Sequence, residues 1–387
     1  RSCFRRRRLS KPSFPQRLIG VFLLYVSDYH VIGTRNMDAF DKAKIMEFPR
    51  SVLIGHDVLD RLPEMCASFR FGKAGLMVTG GNTYSVAGKA IEDYMSGKYE
   101  VSVLKTGNAT LESLEEVKTA AAETKSTFIL AVGGGSKIDL SKIASDDLGI
   151  PFISIPTNAA HDGMASDRAT LKMDIGPQSV SAASPLGVLA DTHVICQSPY
   201  RFLASGCADV ISNLTALKDW EFARRLRNED FSRSAYSLSL YAAETIMENS
   251  ELIRPDLEES VWIALRPIII SGISMSVAGS SRPTSGSEHM FSHAIDIMYP
   301  GRAMHGEQCG VGSIMMMYLH GGDWKVIRDA LDNIGAPTTG RQIGLKDEEV
   351  IEALTLAAGI RKDRFTILGN GINRETAAKV AKATGVI

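Results

Sequence analysis

The sequence predicts a parallel α/β half followed by an all-helical half, and two observations carry that prediction. From residue 48 to about residue 192, short β-rich runs alternate with helical stretches; after Pro199 only long amphipathic stretches remain, broken by Pro and Gly. Strands that alternate with helices run parallel and are covered on both faces, because each crossover lays a helix over the sheet. A chain of 387 residues is also long for one core, since domains commonly span roughly 100 to 200 residues. Two parts are therefore expected, residues 37–199 and 200–387.

In the first part, residues 75–79, 99–104, 127–132 and 151–155 read as strands, being short apolar runs bounded by turn residues. Residues 110–125 read as a helix, because Leu111, Leu114, Val117 and Ala121 recur at helical spacing behind a Thr110 cap. Residues 174–192 are less regular, with 187–189 and 193–195 expected as extended pieces. In the second part, residues 207–227, 232–249, 257–278, 286–298, 306–319 and 347–358 read as helices. Pro255, Pro283, Pro300-Gly301, Gly321-Gly322 and the stretch Gly335 to Pro337 separate them. No transmembrane helix is read.

Residues 1–36 stand apart. They hold the basic run Arg5 to Arg8 and an apolar stretch, 18–26, ahead of the first methionine, Met37. That stretch is too short to span a bilayer, and no small-residue cleavage site follows it. The segment is expected to be extraneous or disordered, with the folded protein starting at Met37.

Charge and cysteine usage exclude several classes of function. With 43 Lys+Arg against 44 Asp+Glu, the net charge of -1 offers no general attraction to nucleic acid or an anionic membrane. The partner expected is a small molecule. Cys3, Cys66, Cys196, Cys207 and Cys309 are scattered without a C-x-x-C pair, so neither a disulfide framework nor a zinc knuckle is indicated, and a reducing cytoplasm fits best.

The strongest local signal is the strand from Thr127 to Val132, which runs directly into Gly133-Gly134-Gly135-Ser136-Lys137 and then a helix through Ile138 and Asp139. Glycines let a backbone approach a ligand with no Cβ in the way, and the free N–H groups at a helix start favour a phosphate. A pyrophosphate suits this turn, although it is not the G-x-G-x-x-G fingerprint of the common dinucleotide folds. A weaker echo, Gly80-Gly81-Asn82-Thr83, follows the preceding strand. After residues 151–155 comes a loop from Pro156 to Asp167 rich in small and hydrogen-bonding residues. Thr157 and Ser166 are candidates to bond a cofactor there, and Asp162 to bind a substrate hydroxyl, since loops at the carboxyl ends of parallel strands are where such folds hold ligands.

In the helical half, Asp209, the pair His289 and His293, and His305 form a candidate metal constellation. His289 and His293 are four apart and project from one helix face, and Pro300-Gly301 lets the chain reverse to bring His305 back toward them. One carboxylate and two imidazoles, with a position left open, are the ligands of a catalytic rather than a structural zinc; iron uses similar donors. Spacing alone leaves open which of these residues ligate.

The motifs GGGSKIDLSK, IPTNAAHDGMAS, GCADVISNLTALKDW, and SGSEHMFSHAID followed by HGEQCGVG resemble the sn-glycerol-1-phosphate dehydrogenase family, within the polyol-dehydrogenase and dehydroquinate-synthase-like superfamily, over essentially Met37 to the end. The resemblance implies a Rossmann-like nucleotide-binding domain packed on an all-helical metal-binding domain, as in dehydroquinate synthase. It implies Zn²⁺, NAD(H) or NADP(H), and reduction of dihydroxyacetone phosphate to sn-glycerol 1-phosphate, the backbone of archaeal-type membrane lipids, by a homo-oligomer. Carried over by position, it implies Asp209, His289 and His305 as zinc ligands, with Asp209 also touching substrate. Asp162 and His293 become substrate contacts and the candidate catalytic pair, through which a metal-organised water would relay the proton. The cofactor segments are Gly135 to Asp139, Thr157, Asn158, Ala159, Ala160 and Ser166. Asn158 and His161 depart from the small polar residues frequent in the family loop. Arg282 is a candidate for the substrate phosphate. The alternatives are a glycerol dehydrogenase acting on an unphosphorylated polyol, a dehydroquinate-synthase-like lyase that reoxidises its nicotinamide within one turnover, and a non-catalytic nucleotide-binding module.

Overall fold

Six parallel strands form the sheet of the computed structural model, which describes residues 44–173 and 176–387. They are β1 (Ser51–Gly55), β2 (Ala74–Thr79), β3 (Glu100–Lys105), β4 (Ile129–Gly133), β5 (Phe152–Pro156) and β8 (Gly187–Asp191), in the order β1-β8-β5-β4-β2-β3. β6 (Arg168–Met173) and β7 (Gly176–Ser181) form a separate antiparallel hairpin. The helices of this part are α1 (Leu62–Ser68), α2 (Gly81–Thr83), α3 (Lys89–Met95), α4 (Leu111–Glu123), α5 (Gly135–Leu148) and α6 (Thr192–Cys196). Beyond Pro199 the described residues hold helices only: α7 (Tyr200–Arg227), α8 (Arg233–Glu248), α9 (Glu258–Ala278), α10 (Ser287–Met298), α11 (His305–Leu319), α12 (Trp324–Ile334), α13 (Asp347–Ile360) and α14 (Arg374–Ala383).

The strands read as continuous apolar runs because both faces are covered. Successive side chains of a strand point to opposite faces, and here Ile129 and Ala131 of β4 join one core while Leu130 and Val132 join another. Leu76 and Val78 against Met77, and Val188 and Ala190 against Leu189, divide in the same way. The first of these cores continues from the sheet through the helical part to Val386, so residues 45–387 form one compact unit. Helix α9 is long and apolar enough to cross a membrane by length and composition, with 61% of its apolar window buried; it packs on α8 and α7 and on the short helical turn Asp162–Ala165.

Several expectations need correction. Residues 193–195 are helical, because the Asp191 carboxylate accepts from the backbone N–H groups of His193 and Val194 and so caps α6. Helix α7 starts at Tyr200, seven residues before the expected Cys207. β1, α12, α14 and the β6–β7 hairpin were not anticipated. Residues 1–36 lie outside the described residues, and so does Cys3.

The sheet order matters for function. β2 and β4 are neighbours, while β2 leads outward to β3 and β4 leads the other way to β5. At such a reversal the loops after adjacent strands part and leave a crevice beyond the carboxyl ends. The loops there are Gly80-Gly81 and Gly133 to Gly135.

Candidate active site

The glycine turn is built for close approach. β4 ends at Gly133 with φ at +156°, where a Cβ would lie 2.7 Å from Lys137 Cγ. Gly134 is the extended N-cap of α5, with no side chain bonding the exposed N–H groups and no acidic residue in the first turn. The positive end of the helix is therefore uncompensated, as an anion site requires. A Cβ on Gly134 would sit 2.7 Å from Asn158 Nδ2, and one on Gly135 would sit 2.3 Å from His161 Nε2. The two residues that depart from the family loop thus press directly on the turn, and Thr157 N–H donates to Gly133 O at 3.1 Å. The Gly80 loop joins the same place, since a Cβ on Gly80 would meet Lys137 Cε at 3.2 Å. Lys137 itself donates to Gly107 O.

Beneath the turn, Lys142 of α5 is completely buried and donates to Gly163 O, Ser166 Oγ and Arg168 O, with Asp139 Oδ1 3.8 Å away. Asp139, Ile138 and Ser166 are therefore buried behind the loop, and the Ser166 hydroxyl is engaged within the protein. This clamp holds residues 162–168 against α5. Nothing in the sequence spacing pointed to Lys142.

The metal constellation closes on the same loop. Asp209 comes from α7, His289 from α10 and His305 from the first position of α11. Asp209 Oδ1 lies 3.8 Å from His289 Nε2 and 3.7 Å from His305 Nε2. Asp209 Oδ2 accepts from Asp162 N–H at 3.2 Å. The Asp162 carboxylate accepts from Ser271 Oγ at 2.8 Å. Close helix packing lets α7 reach the loop, because a Cβ on Gly206 would fall 1.9 Å from Ala159 O.

Both imidazoles are held so that Nε2 faces Asp209. His289 Nδ1 donates to Glu288 Oε1 at 2.9 Å, and the fully buried Glu288 also accepts from Gly286 N–H and Thr215 Oγ1. His305 Nδ1 donates to Ser292 Oγ at 3.1 Å, and Ser292 Oγ donates in turn to Gln308 Oε1 at 2.6 Å. Outer partners of this kind fix ring orientation and tautomer in metal sites.

The protonation states fit a cation. Burial pushes Asp209 up to about 7, with Glu288 adding to it, and burial together with Asp209 pushes Asp162 to about 7. Burial and His305 hold His289 well below its ordinary value and His293 at about 3. Neutral imidazoles beside crowded buried acids are the donor set a dication relieves. Zinc bonds of about 2.0–2.1 Å in a tetrahedron place donors roughly 3.3 Å apart, so a small inward shift of each side chain closes the ring.

His293 stands one helical turn from His289, with ring centroids 6.4 Å apart, and 6.0 Å from the His305 ring. It lies outside the group of donors that converge, which instead includes Cys309 of α11, its Sγ 3.6 Å from His305 Nε2. Sequence reasoning passed over Cys309 and Glu288, although each had a signal: Cys309 is four residues after His305 on one helix face, and Glu288 directly precedes His289. Arg282 is a correction. It is buried and bound by Glu229 through Nε and Nη2, so it is already neutralised.

A model of iron-containing alcohol dehydrogenases matches residues 53–199. The chain is 51% identical to glycerol-1-phosphate dehydrogenase [NAD(P)+] of Methanosarcina mazei over 349 residues, 90% of this chain and 98% of that protein. It is 48% identical to the enzyme of the same name from Methanothermobacter thermautotrophicus, covering 90% of this chain and all of that one, 100%. The chain belongs to the glycerol-1-phosphate dehydrogenase family. This chain shares its fold with more distant proteins. Glycerol dehydrogenase from Schizosaccharomyces pombe superimposes with a TM-score of 0.73 at 19% identity, covering 89% of this chain and 91% of that one. Sulfoacetaldehyde reductase from Bifidobacterium kashiwanohense, solved in complex with NAD+, gives 0.69 at 16% identity, covering 89% and 99%. The expected Rossmann-like sheet followed by a helical part is thus the architecture found, and family members are NAD(P)-dependent oxidoreductases by name.

Proposed function

We propose that this chain reduces dihydroxyacetone phosphate to sn-glycerol 1-phosphate with NADH or NADPH, using Zn²⁺ held by Asp209, His289 and His305. The observation that carries this reading is the convergence of those three side chains on the loop after β5, one strand over from the glycine turn after β4. When bound, the zinc supplies Lewis acidity to the substrate carbonyl and the reduced nicotinamide supplies the hydride.

The chain's own residues do the rest. The N–H groups of Gly135 and Ser136 at the start of α5 hold the pyrophosphate against the helix dipole, with Gly133, Gly134, Lys137, Thr157, Asn158, Ala159 and Ala160 shaping the bed around it. Asp139, Ile138 and Ser166 position that bed from behind through Lys142. Asp162 accepts a hydrogen bond from a substrate hydroxyl beside Asp209. Overall the carbonyl carbon gains hydride and its oxygen gains a proton, delivered from water by way of His293 or Asp162. In this reading residues 37–199 bind the dinucleotide and residues 200–387 the metal, and the protein works as a homo-oligomer on a small molecule rather than on nucleic acid. A reducing cytoplasm accords with Cys66, Cys196, Cys207 and Cys309 being unpaired, and with burial pushing the Cys66 and Cys207 thiols up to about 12.

The test is a spectrophotometric assay of dihydroxyacetone phosphate with each reduced cofactor, before and after chelation and zinc return. Net oxidation of cofactor that chelation abolishes and zinc restores is expected. Turnover of dihydroxyacetone or glycerol in preference to the phosphorylated substrate would replace this reading with a glycerol dehydrogenase.

A further inference from the structure

Three arginines surround the start of α10, and the structure separates them. Arg282 is closed by Glu229 and also donates to Phe365 O at 3.0 Å. Arg361 donates to both oxygens of Asp363, at 3.2 and 2.9 Å. Arg364 alone has no carboxylate on it among the described residues: Nη1 donates to Ser285 O and Nη2 to Ser281 Oγ at 2.8 Å. A guanidinium carries five N–H donors in a planar fork, so most of its capacity is unspent.

Arg364 is also held in place. The segment after α13 runs along α10, with Thr366 Oγ1 on Met290 Sδ at 3.7 Å and Ile367 N–H on Asp219 Oδ1 at 2.6 Å. Asp219 in turn accepts from Ser287 N–H and Oγ at the first position of α10. Arg364 therefore sits against the loop that leads into the helix bearing His289 and His293. The Ser285 carbonyl it holds adjoins Gly286, whose N–H donates to the Glu288 carboxylate that bonds His289 Nδ1. Burial, then Arg361 and Arg282, disfavours the Arg364 charge, and the more distant Asp363 and Glu229 offset this only in part.

We infer that Arg364 is the anchor for the substrate's phosphoryl group. The inference rests on the proposed reaction and names the residue that makes it selective for a phosphorylated substrate. The carbonyl carbon of dihydroxyacetone phosphate is separated from phosphorus by one methylene and one ester oxygen. With the carbonyl on the metal face of His289, that arm extends toward the loop that leads into α10, on which the uncompensated guanidinium is anchored through Ser285 and Ser281. Arg–phosphate bonds are charge-assisted and are the strong members of their class. Arg282, the arginine the sequence suggested, is spent on Glu229.

The test compares wild type, Arg364→Met and Arg364→Lys for kcat/KM on dihydroxyacetone phosphate and on dihydroxyacetone, with zinc content measured throughout. Hydrogen bonds to a charged group translate into a loss of roughly 10- to 100-fold. Arg364→Met is expected to reduce the preference for the phosphorylated substrate by that factor, chiefly through KM, and Arg364→Lys to restore part of it. An equal fall on both substrates, or loss of zinc, would make Arg364 a structural residue and overturn the inference. Calorimetric titration with inorganic phosphate tests the site independently of turnover. Binding in wild type that Arg364→Met abolishes supports the anion site even if dihydroxyacetone phosphate proves not to be the substrate. Phosphate binding that is absent from wild type or unaffected by the variant overturns it.

Discussion

The glycine turn and the metal constellation are the two working regions of this chain, and they are built in opposite ways. The turn is one contiguous segment, Gly133 to Lys137, whose role follows from a strand end and a helix start lying side by side in sequence. The metal ligands come from three helices, spread from Asp209 to His305, and each imidazole is aimed by a partner that binds its other nitrogen. A contiguous site tolerates drift in the rest of the fold because its geometry is local. A dispersed site exists only if the helices pack in one register, so it fails through its supports as well as its ligands.

The largest effect should come from breaking the dispersed site. His289→Ala is expected to remove the zinc and lower turnover by roughly 10³-fold, the several kcal/mol that Lewis-acid stabilisation supplies. His293→Ala should cost about 10²-fold, as loss of a proton-transfer group does, while zinc stays at the wild-type level. Metal analysis of the two variants sharpens the contrast, and parallel loss of zinc from both would remove the distinction between ligand and substrate contact.

A smaller effect is expected at the contiguous site. Gly135→Ala places a methyl 2.3 Å from His161 Nε2, so the ring must turn and give up the bond its Nδ1 accepts from Gly163 N–H at 3.0 Å. Overpacking of this kind costs about 1–3 kcal/mol. Weaker NAD(P)H binding with unchanged zinc should accompany it; unchanged cofactor binding in a stably folded variant would detach the turn from the dinucleotide.

The smallest effect concerns neither site. His56 and His193 stack with ring centroids 5.0 Å apart, and His56 bonds Glu258 at the start of α9 while His193 bonds Asp57. The bond to Glu258 raises the pKa of His56, and the bond to His193 lowers that of Asp57. The raised histidine stabilises below its unfolded value and is lost as pH rises through its folded one; the lowered carboxylate stabilises above its unfolded value and is lost on acidification. The clamp should be fully formed from about pH 4 to 6.5. The melting temperature of His56→Gln should therefore fall below wild type most at about pH 5 to 6 and converge with it as pH rises through the raised histidine value. A difference independent of pH would show that the contact acts by packing.

Legibility followed the same division. Four strands, the capped helix behind Thr110 and six helices of the second half were readable because each is marked by its own periodicity and caps. Helix α12 was missed although Gly321-Gly322 and Gly335 bracket it and Ile327, Ala330, Leu331 and Ile334 form a helical stripe. In the hairpin β6–β7, β6 alternates polar and apolar residues from Arg168 to Met173 and was passed over, while β7, Gly-Pro-Gln-Ser-Val-Ser, carries no such signal and is ordered by pairing with it. Residues 193–195 were misread because their apolar content suits a strand, while the cap that makes them helical is Asp191 at the end of β8.

By itself the sequence determined the alternation of strands and helices, the glycine turn, and the pairing of His289 with His293 on one face, because those depend on neighbours a few residues apart. The motif resemblance implied Asp209, His289 and His305 as the ligand set, but spacing did not, and only the tertiary structure decided that Cys309 joins that group, that Lys142 and Glu288 serve as buried supports, and that Arg364 rather than Arg282 keeps an open guanidinium. Those outcomes depend on which helices touch and on which charges find a partner across the core, and side chains distant in sequence meet only once the chain has packed.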